Sequence, residues 1–320
     1  MIMNPPPGQP CHSCALVSDK QLGDITLLEP ATRLLAGRSG ESTALYVKEA
    51  FRPLVDLMPS AVWGPDQTVT HASSWTTHWN SRAAFMTRRL SARRKHLLIN
   101  QGRHRRWWHR FFFHQTHVVP AESQYWAFYF WRALGGEASA FKSPGLEQPP
   151  EDWRHSDLPR GDYLLINPTA AWPTKYWEPE KWVQVMTQVS IEHGVPLVMT
   201  GGTTPEEQAH CARIVQGAPP GLVNLAGRTS LKQYLYALSR ARAVLCVDGS
   251  ASHLAQAFDV PVVTVFGPVY PARWHWPTLR HVAVSAFDYS QEVPPPCSVV
   301  PVTAVLDALE KVSSSAGRTR

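Results

Sequence analysis

Long hydrophobic runs are missing from this 320-residue sequence, which has no uninterrupted apolar stretch of about 18 residues, the length that a transmembrane helix needs. The opening residues, MIMNPPPGQPCHSC, also lack the charged and then apolar pattern of a secretory signal. We therefore expect a cytoplasmic protein that can meet a membrane only at its surface.

Cysteine is scarce: the chain has five, an odd number that argues against a disulfide framework and for a reducing compartment. Cys11 and Cys14 form a C-x-x-C pair, but no second pair follows at a spacing that suits zinc. A structural zinc site and a redox pair are the less favoured alternatives there. Cys246 lies in an apolar run and is expected in the core.

Acidic residues are missing from residues 67–121, where ten basic side chains lie between Arg82 and Arg110, and the whole chain carries a net charge of +6. Aromatic residues at 107–113 are interleaved with this charge, a composition typical of proteins that contact an anionic membrane or an acidic lipid headgroup. A solvated charged face and nucleic-acid binding are the alternatives, although no nucleic-acid motif accompanies the segment. The candidate contacts to an acceptor or a membrane are Arg103, Arg105 and Arg106.

The length of the chain suits two domains. Apolar runs alternate with helical stretches in both halves, which favours parallel sheets covered by helices. Residues 142–161 are rich in proline and charge and have no periodicity. We therefore expect an α/β protein with a doubly wound N-terminal domain at 1–145, a linker at 146–160 and a doubly wound C-terminal domain at 161–320. Ligands of such folds bind at the carboxyl ends of the strands.

The stretch VDGSASHLAQAFDVPVVTVF at residues 247–266 has the order of a strand, a polar loop and a helix. Asp248 ends the apolar run, the small Gly249 lets the backbone come close to a ligand, and Ser250 is suited to cap the helix that carries His253. A helix N-terminus presents free N–H groups to an anion, so a nucleotide phosphate is the expected ligand. The alternative is an ordinary capped turn, with His253 packed in the core.

Two upstream segments repeat this order. YLLIN runs into a polar loop that carries Thr169 and Lys175. LVMT runs into Gly201 and Gly202, before a helix that Thr204 is expected to cap. The polar loops that follow these strands predict one nucleotide-sized site at a sheet edge.

These pieces resemble glycosyltransferase family nine, the ADP-heptose:lipopolysaccharide heptosyltransferases. The resembling segments are NPTAAWPTKYWEPEKW, VMTGGTTPEEQA, NLAGRTSLKQYLYALSRARAVLCVDGSASHLAQAFDVPVVTVFGP and, near the start, LGDITLLEPATRLLA. The resemblance covers most of residues 160–275 strongly, residues 14–36 moderately and residues 60–140 in outline. It implies the GT-B fold, in which two Rossmann-like domains face each other across a cleft, with the nucleotide on the C-terminal domain and the acceptor on the N-terminal one.

The resemblance also implies roles for single residues. Asp24, placed just before a helix expected at 25–36, matches the family's catalytic base, which takes the proton of the acceptor hydroxyl. Lys175 matches the lysine that holds the departing diphosphate. A plain helix cap and a surface lysine are the alternatives for these two residues. The implied donor-binding set is Thr169, Lys175, Gly201, Gly202, Thr229, Asp248, Gly249, Ser250 and His253.

The sequence departs from the family's D-T-G-x-x-H signature, because residues 248–253 read D-G-S-A-S-H. Gly249 replaces the threonine and Ser250 replaces the glycine. The exchange removes a side-chain hydroxyl from its usual place and leaves the backbone N–H groups to bind phosphate. Ala170 and Ala171 likewise stand where some relatives carry hydroxyl residues.

The resemblance implies an inverting glycosyltransferase that moves heptose or a related sugar from an ADP-sugar to a lipopolysaccharide-core or other glycolipid acceptor. No metal and no further cofactor are expected, since a lysine and helix dipoles can replace a cation. The expected partners are the nucleotide sugar, an acidic glycolipid and an anionic membrane surface at the inner face of the inner membrane, and no nucleic acid. The alternatives are another donor sugar on the same fold and a nucleotide-binding relic without turnover.

Overall fold

A computed structural model describes residues 14–64, 69–77, 80–100, 106–119 and 125–316. The chain divides into two compact units, Met1–Glu147 and Gln148–Arg320, called the first and the second unit below. The linker expected at 146–160 stays a prediction. No helix within the described ranges is long and apolar enough to cross a membrane.

The first unit contains one parallel sheet whose described strands follow the order β3-β2-β1-β4-β5-β6. Its strands are β1 Cys14–Val17, β2 Thr43–Tyr46, β3 Ala61–Trp63, β4 His71–Thr76, β5 Ala92–Asn100 and β6 Gln115–Val119. Its α-helices are α1 Leu22–Thr26, α2 Glu29–Ser39, α3 Arg52–Val55, α4 Ser81–Arg89 and α5 Trp126–Ala133. The strand order reverses between β1 and β4, which opens a crevice at the carboxyl ends of these two strands.

The second unit repeats this plan, with the parallel strand order β12-β11-β10-β7-β8-β9. Its strands are β7 Leu164–Asn167, β8 Leu197–Met199, β9 Val223–Asn224, β10 Ala243–Val247, β11 Val262–Phe266 and β12 His281–Ser285. Its α-helices are α6 Pro179–His193, α7 Pro205–Gly217, α8 Leu231–Arg240, α9 Ser250–Ala257, α10 Pro271–Trp274 and α11 Val302–Ala316. Here the order reverses between β7 and β10. The predicted α/β fold with two doubly wound sheets is confirmed.

Short apolar runs become the central strands because helices cover both faces of each parallel sheet. All residues of β7 and β10 are buried, including Cys246, whose predicted core position is confirmed. The core of the second unit also contains Trp177 and Trp182, both fully buried. The indole N–H of Trp177 donates to the carbonyl of Val300, 3.1 Å away, which holds the start of α6 against the segment before α11.

The helix expected at 25–36 is wrong as a single element, because α1 ends at Thr26 and α2 begins at Glu29. Pro30 explains the break, since its ring would clash with the carbonyl of Thr26 in a continuous helix and it is tolerated only in a first turn. Asp24 consequently lies inside the first turn of α1 rather than before a helix, and Gln21 is the cap residue. The interpretation of Asp24 as a plain cap is therefore also wrong.

Candidate active site

The centre of the candidate site is an ion pair at the point where the second sheet reverses its order. Lys175 ends a 3₁₀ turn, Pro173–Lys175, in the loop after β7, and Asp248 follows β10 directly. The Nζ atom of Lys175 lies 2.6 Å from Oδ2 of Asp248, and the two side chains are 15% and 3% exposed. Lys175 is therefore not a freely exposed surface lysine, and the two loops are fixed to each other by charge.

Lys175 retains capacity to bind an anion while it pairs with Asp248. An ammonium group has three N–H donors, of which the Asp248 carboxylate accepts one. The same Nζ lies 4.9 Å from the centroid of the Trp172 ring, and Trp172 is 61% exposed. This arrangement holds the ammonium between a buried carboxylate and a largely exposed ring.

The turn from β10 into α9 places the first N–H groups of a helix beside this ion pair. Gly249, in extended conformation, occupies the cap position, and Ser250 is the first helical residue, so the expected capping by Ser250 is wrong. The hydroxyl of Ser250 instead hydrogen-bonds to that of Tyr234. A Cβ atom on Gly249 would lie 3.2 Å from that of Ala170, so the turn packs closely on the loop after β7.

His253 lies one turn into α9 and is 5% exposed. Burial lowers its pKa to about 4, against the smaller opposite effect of the Asp248 charge, so the imidazole is neutral at pH 7. Its Nδ1 atom is buried and has no hydrogen-bond partner among the described residues. His253 is therefore not a fully satisfied core histidine, and it supplies a neutral polar group rather than a cation.

The end of β8 forms the neighbouring wall. The N–H of Gly202 donates to the hydroxyl of Thr169 at 3.4 Å, and the N–H of Gly227 donates to the carbonyl of Gly201 at 3.1 Å. A Cβ atom on Gly201 would lie 2.9 Å from the Sγ of Cys211, so packing alone requires glycine there. Thr229 is half-buried and lies just before α8. It belongs to the same loop as Gly227, whose hydrogen bond to Gly201 ties this loop to the turn after β8.

Thr204 caps α7, as predicted, and forms a reciprocal capping box with Glu207. This cap fixes the start of α7 directly after the glycine turn.

Asn167, Thr200 and Tyr234 were not predicted as site residues, yet they connect three of its elements. The Nδ2 group of Asn167 donates to Thr200 Oγ1 at 3.0 Å and to the Tyr234 hydroxyl at 3.4 Å. Burial raises the pKa of Tyr234 above its ordinary value, which keeps the phenol neutral. A polar residue at the end of each apolar run in the sequence is the signal that points to Asn167 and Thr200. Tyr234 has no comparable signal.

Asp24 lies in the first unit, half-buried in α1 after β1. Asp19 follows the same strand and accepts a hydrogen bond of 2.6 Å from Nδ2 of Asn80, which lies between β4 and α4. The Asn80 side chain also caps α4 by accepting from the N–H of Ala83 at 2.8 Å. Asp19 and Asn80 were not predicted, and they join the two strand ends between which the first sheet reverses.

Of the three predicted acceptor or membrane contacts, Arg106 is exposed and precedes a 3₁₀ turn, Trp107–Phe111. Arg103 and Arg105 lie outside the described residues, as does Cys11. Cys14 is buried at the start of β1, and burial raises the pKa of its thiol. Among the described residues, no three His, Cys, Asp or Glu side chains are grouped so that they could hold a metal ion.

Known proteins are similar to this chain in sequence and in fold. The sequence model of glycosyltransferase family 9 (heptosyltransferase) matches residues 77–298. Lipopolysaccharide heptosyltransferase 3 of Escherichia coli is 26% identical over 262 residues, which cover 75% of this chain and 74% of that protein.

Two solved structures superpose on nearly the whole chain. A family 9 glycosyltransferase from Veillonella parvula has a TM-score of 0.78 at 17% identity and covers 96% of this chain and 99% of its own. The E. coli heptosyltransferase WaaC with ADP has a TM-score of 0.73 at 17% identity and covers 93% of this chain and 99% of its own. The similarity in fold agrees with the two doubly wound sheets of this chain. Since the family model matches well over half of the sequence, the chain belongs to glycosyltransferase family 9, the heptosyltransferases, and is a glycosyltransferase.

Proposed function

We propose that the protein is an inverting transferase that moves heptose, or a closely related sugar, from an ADP-sugar to a lipopolysaccharide-core or other glycolipid acceptor. The observation that carries this proposal is the partly buried Lys175–Asp248 pair beside the N-terminus of α9, at the reversal point of the second sheet. That position is where doubly wound folds bind nucleotides. The curated E. coli relative is named a lipopolysaccharide heptosyltransferase, and the WaaC structure contains ADP.

The diphosphate of the donor binds between Lys175 and the first N–H groups of α9. The ammonium supplies a point charge, and the helix N-terminus supplies directed N–H donors and a partial positive charge. Because Gly249 and Ser250 replace the family's threonine and glycine, these backbone groups bind the phosphate without a threonine hydroxyl. The adenosine lies along the turns that contain Gly201, Gly202 and Thr229.

Asp24 acts as the general base in a single displacement. The acceptor oxygen forms a bond to the anomeric carbon as the bond from that carbon to the ADP oxygen breaks, and the acceptor proton passes to Asp24. Attack from the side opposite to ADP inverts the anomeric configuration. Lys175 and the α9 dipole stabilise the negative charge on the departing ADP without a metal ion.

Charge supports the proposed acceptor class. Exposed arginines in a stretch without acidic residues suit an acidic glycolipid, so the protein acts at the cytoplasmic face of the membrane by peripheral contact. The relic alternative draws on the altered signature at 248–253, which could reduce turnover while binding survives.

A panel of nucleotide sugars tests the proposal. ADP-heptose should raise the melting temperature of the purified protein, and ADP release should require a heptose-deficient glycolipid acceptor. Matched UDP- and GDP-sugars serve as controls. Preference for a non-adenine donor would contradict the donor assignment, and ADP-heptose binding without release of ADP on any acceptor would favour the relic.

A further inference from the structure

We propose that α4 and the 3₁₀ turn Trp107–Phe111 form one lipid-inserting surface, with Phe85, Trp107 and Phe111 entering an anionic bilayer between exposed arginines. These three side chains are 57%, 73% and 65% exposed. Exposed aromatic residues of this size are unfavourable in water unless a partner covers them. The inference rests on the proposed function, which places the acceptor in a membrane.

The exposed rings form two groups of contacts, and the group that contains Phe85 is anchored in the core. Phe112 contacts Phe85 edge-on, with ring centroids 6.1 Å apart, and contacts Trp108 at 5.7 Å. Both Phe112 and Trp108 pack on the buried residues Ala84, Leu97, Ile99 and Phe113. Trp107 contacts Phe111 edge-on at 5.9 Å. Phe85 therefore stands on a base that the core supports, and Trp107 and Phe111 belong to the same short turn as the anchored Trp108.

Positive charge surrounds this cluster. Arg82, Arg88, Arg89 and Arg110 are exposed, and none of them forms an ion pair with a carboxylate of the described residues. The guanidinium of Arg110 lies 5.0 Å from the centroid of Phe111. No Asp or Glu occurs from residue 67 to residue 121. Aromatic rings beside unpaired arginines match a bilayer interface, where rings lie at headgroup level and arginines meet lipid phosphates.

An anionic bilayer fits this surface better than RNA does. RNA would require rings placed to stack on bases along a basic groove. Here the exposed rings contact their neighbours edge-on and lie on a short helix and a 3₁₀ turn, which suits shallow insertion.

Vesicle sedimentation with the full-length protein, in the absence of donor and acceptor, tests the proposal. The vesicles contain phosphatidylcholine either alone or mixed with phosphatidylglycerol. The protein should sediment with the anionic vesicles, and the double variant Trp107→Ser, Phe111→Ser should bind them about tenfold more weakly, because two rings no longer leave water. The variant Trp107→Phe should bind like the parent.

The matched control is Ile191→Ser with Leu279→Ser, which removes two apolar side chains of the second unit that are 77% and 87% exposed. This control should bind vesicles like the parent, and thermal unfolding should report that both double variants are folded. Charge reversal at Arg82, Arg89 and Arg110 should remove the electrostatic part of vesicle binding, which weakens as the salt concentration rises.

Equal vesicle binding by the parent and the Trp107, Phe111 variant would overturn the proposal, as would sedimentation with RNA in preference to anionic vesicles. Transfer to an acceptor oligosaccharide freed from its lipid separates this proposal from the proposed function. Loss of vesicle binding in the variant with intact transfer to the soluble acceptor supports the lipid surface. Normal vesicle binding by a parent that transfers nothing contradicts the proposed function alone.

Discussion

Lys175 and Asp248 are 73 positions apart in the sequence, and 2.6 Å separates their charged atoms. Because the Asp248 side chain is almost fully buried, its charge depends on the lysine for compensation. The same ammonium is proposed to hold the diphosphate, so the carboxylate positions the charge before the donor arrives. Binding of ADP then adds a second anion to a lysine that is already oriented.

Lys175→Ala should weaken ADP binding by about 1–3 kcal/mol, the range of a hydrogen bond to a charged group. Isothermal titration with ADP measures the change, and Lys232→Ala on α8 is the matched control, because the Lys232 ammonium contacts the Trp153 ring instead. The variant should also unfold more easily, since Asp248 loses its cation. Unchanged ADP affinity would remove Lys175 from the site.

Residues at strand ends could be predicted from the sequence, and residues on helix flanks could not. Lys175, Asp248 and Gly201 stand in polar loops directly after apolar runs, a pattern that the sequence displays. Tyr234 is one tyrosine within an amphipathic helix, and its contacts to Asn167 and Ser250 arise only from packing. A single sequence carries no signal for such contacts.

At the scale of elements, the turn from β10 into α9 is held against the loop after β7. Gly249→Val should push these segments apart, because its Cβ would already lie 3.2 Å from that of Ala170. Overpacking of this kind costs about 1–3 kcal/mol, so ADP binding should weaken about tenfold, with a smaller effect for Gly249→Ala.

Gly37→Ala is the control for this change, because nothing lies within 4 Å of a Cβ atom at Gly37 in α2. It should leave ADP binding unchanged and stabilise the helix slightly. ADP binding by Gly249→Val at the affinity of the parent would show that the close contact between the two loops is not needed.

Helix boundaries could be predicted from the sequence where cap residues and prolines were considered together. The cap at Thr204 was predicted, because threonine there acts through local geometry. The break before α2 was missed, although Pro30 requires it. The cap of α9 was misassigned by one residue, because Gly249 and Ser250 are both good caps and the packing against Ala170 favours glycine at that position.

Buried histidines in both units link the stability of the protein to pH. Burial lowers the pKa of His96, His210, His253 and His281 from the ordinary 6.5 to about 4. Between these two values the unfolded chain binds more protons than the folded one. The free energy of unfolding should therefore be largest above pH 6.5 and fall as the pH drops towards 4. Glu29, whose pKa is raised by burial, acts in the opposite direction.

Urea unfolding at several pH values measures this dependence. His210→Phe should flatten it, because a ring at this position keeps the contact to Tyr176, 4.7 Å away between centroids, and no longer titrates. Stability that is constant from pH 6.5 to pH 4, or that rises as the pH falls, would contradict the account.

The overall fold could be predicted best from the sequence. Strands and helices alternate in both halves of the chain, with a proline-rich stretch between the halves, and this pattern indicated two doubly wound sheets. The absence of acidic residues from residues 67–121 indicated an anion-binding surface. The sequence did not indicate which aromatic residues face solvent. Trp107 and Trp108 are adjacent, yet Trp107 is exposed and Trp108 is half-buried, because only Trp108 packs on the cluster that contains Leu97 and Ile99.

The proposed role of Asp24 is that of the general base, while Lys175 and Asp248 are proposed to act in donor binding. The most direct measurement is the turnover of ADP-heptose by the parent and by Asp24→Asn on a heptose-deficient glycolipid, alongside ADP affinity for both proteins. Asparagine keeps the size of the side chain and cannot take the proton. Turnover should fall about a hundredfold or more while ADP affinity stays nearly unchanged. Equal turnover by the two proteins would contradict the proposed role of Asp24.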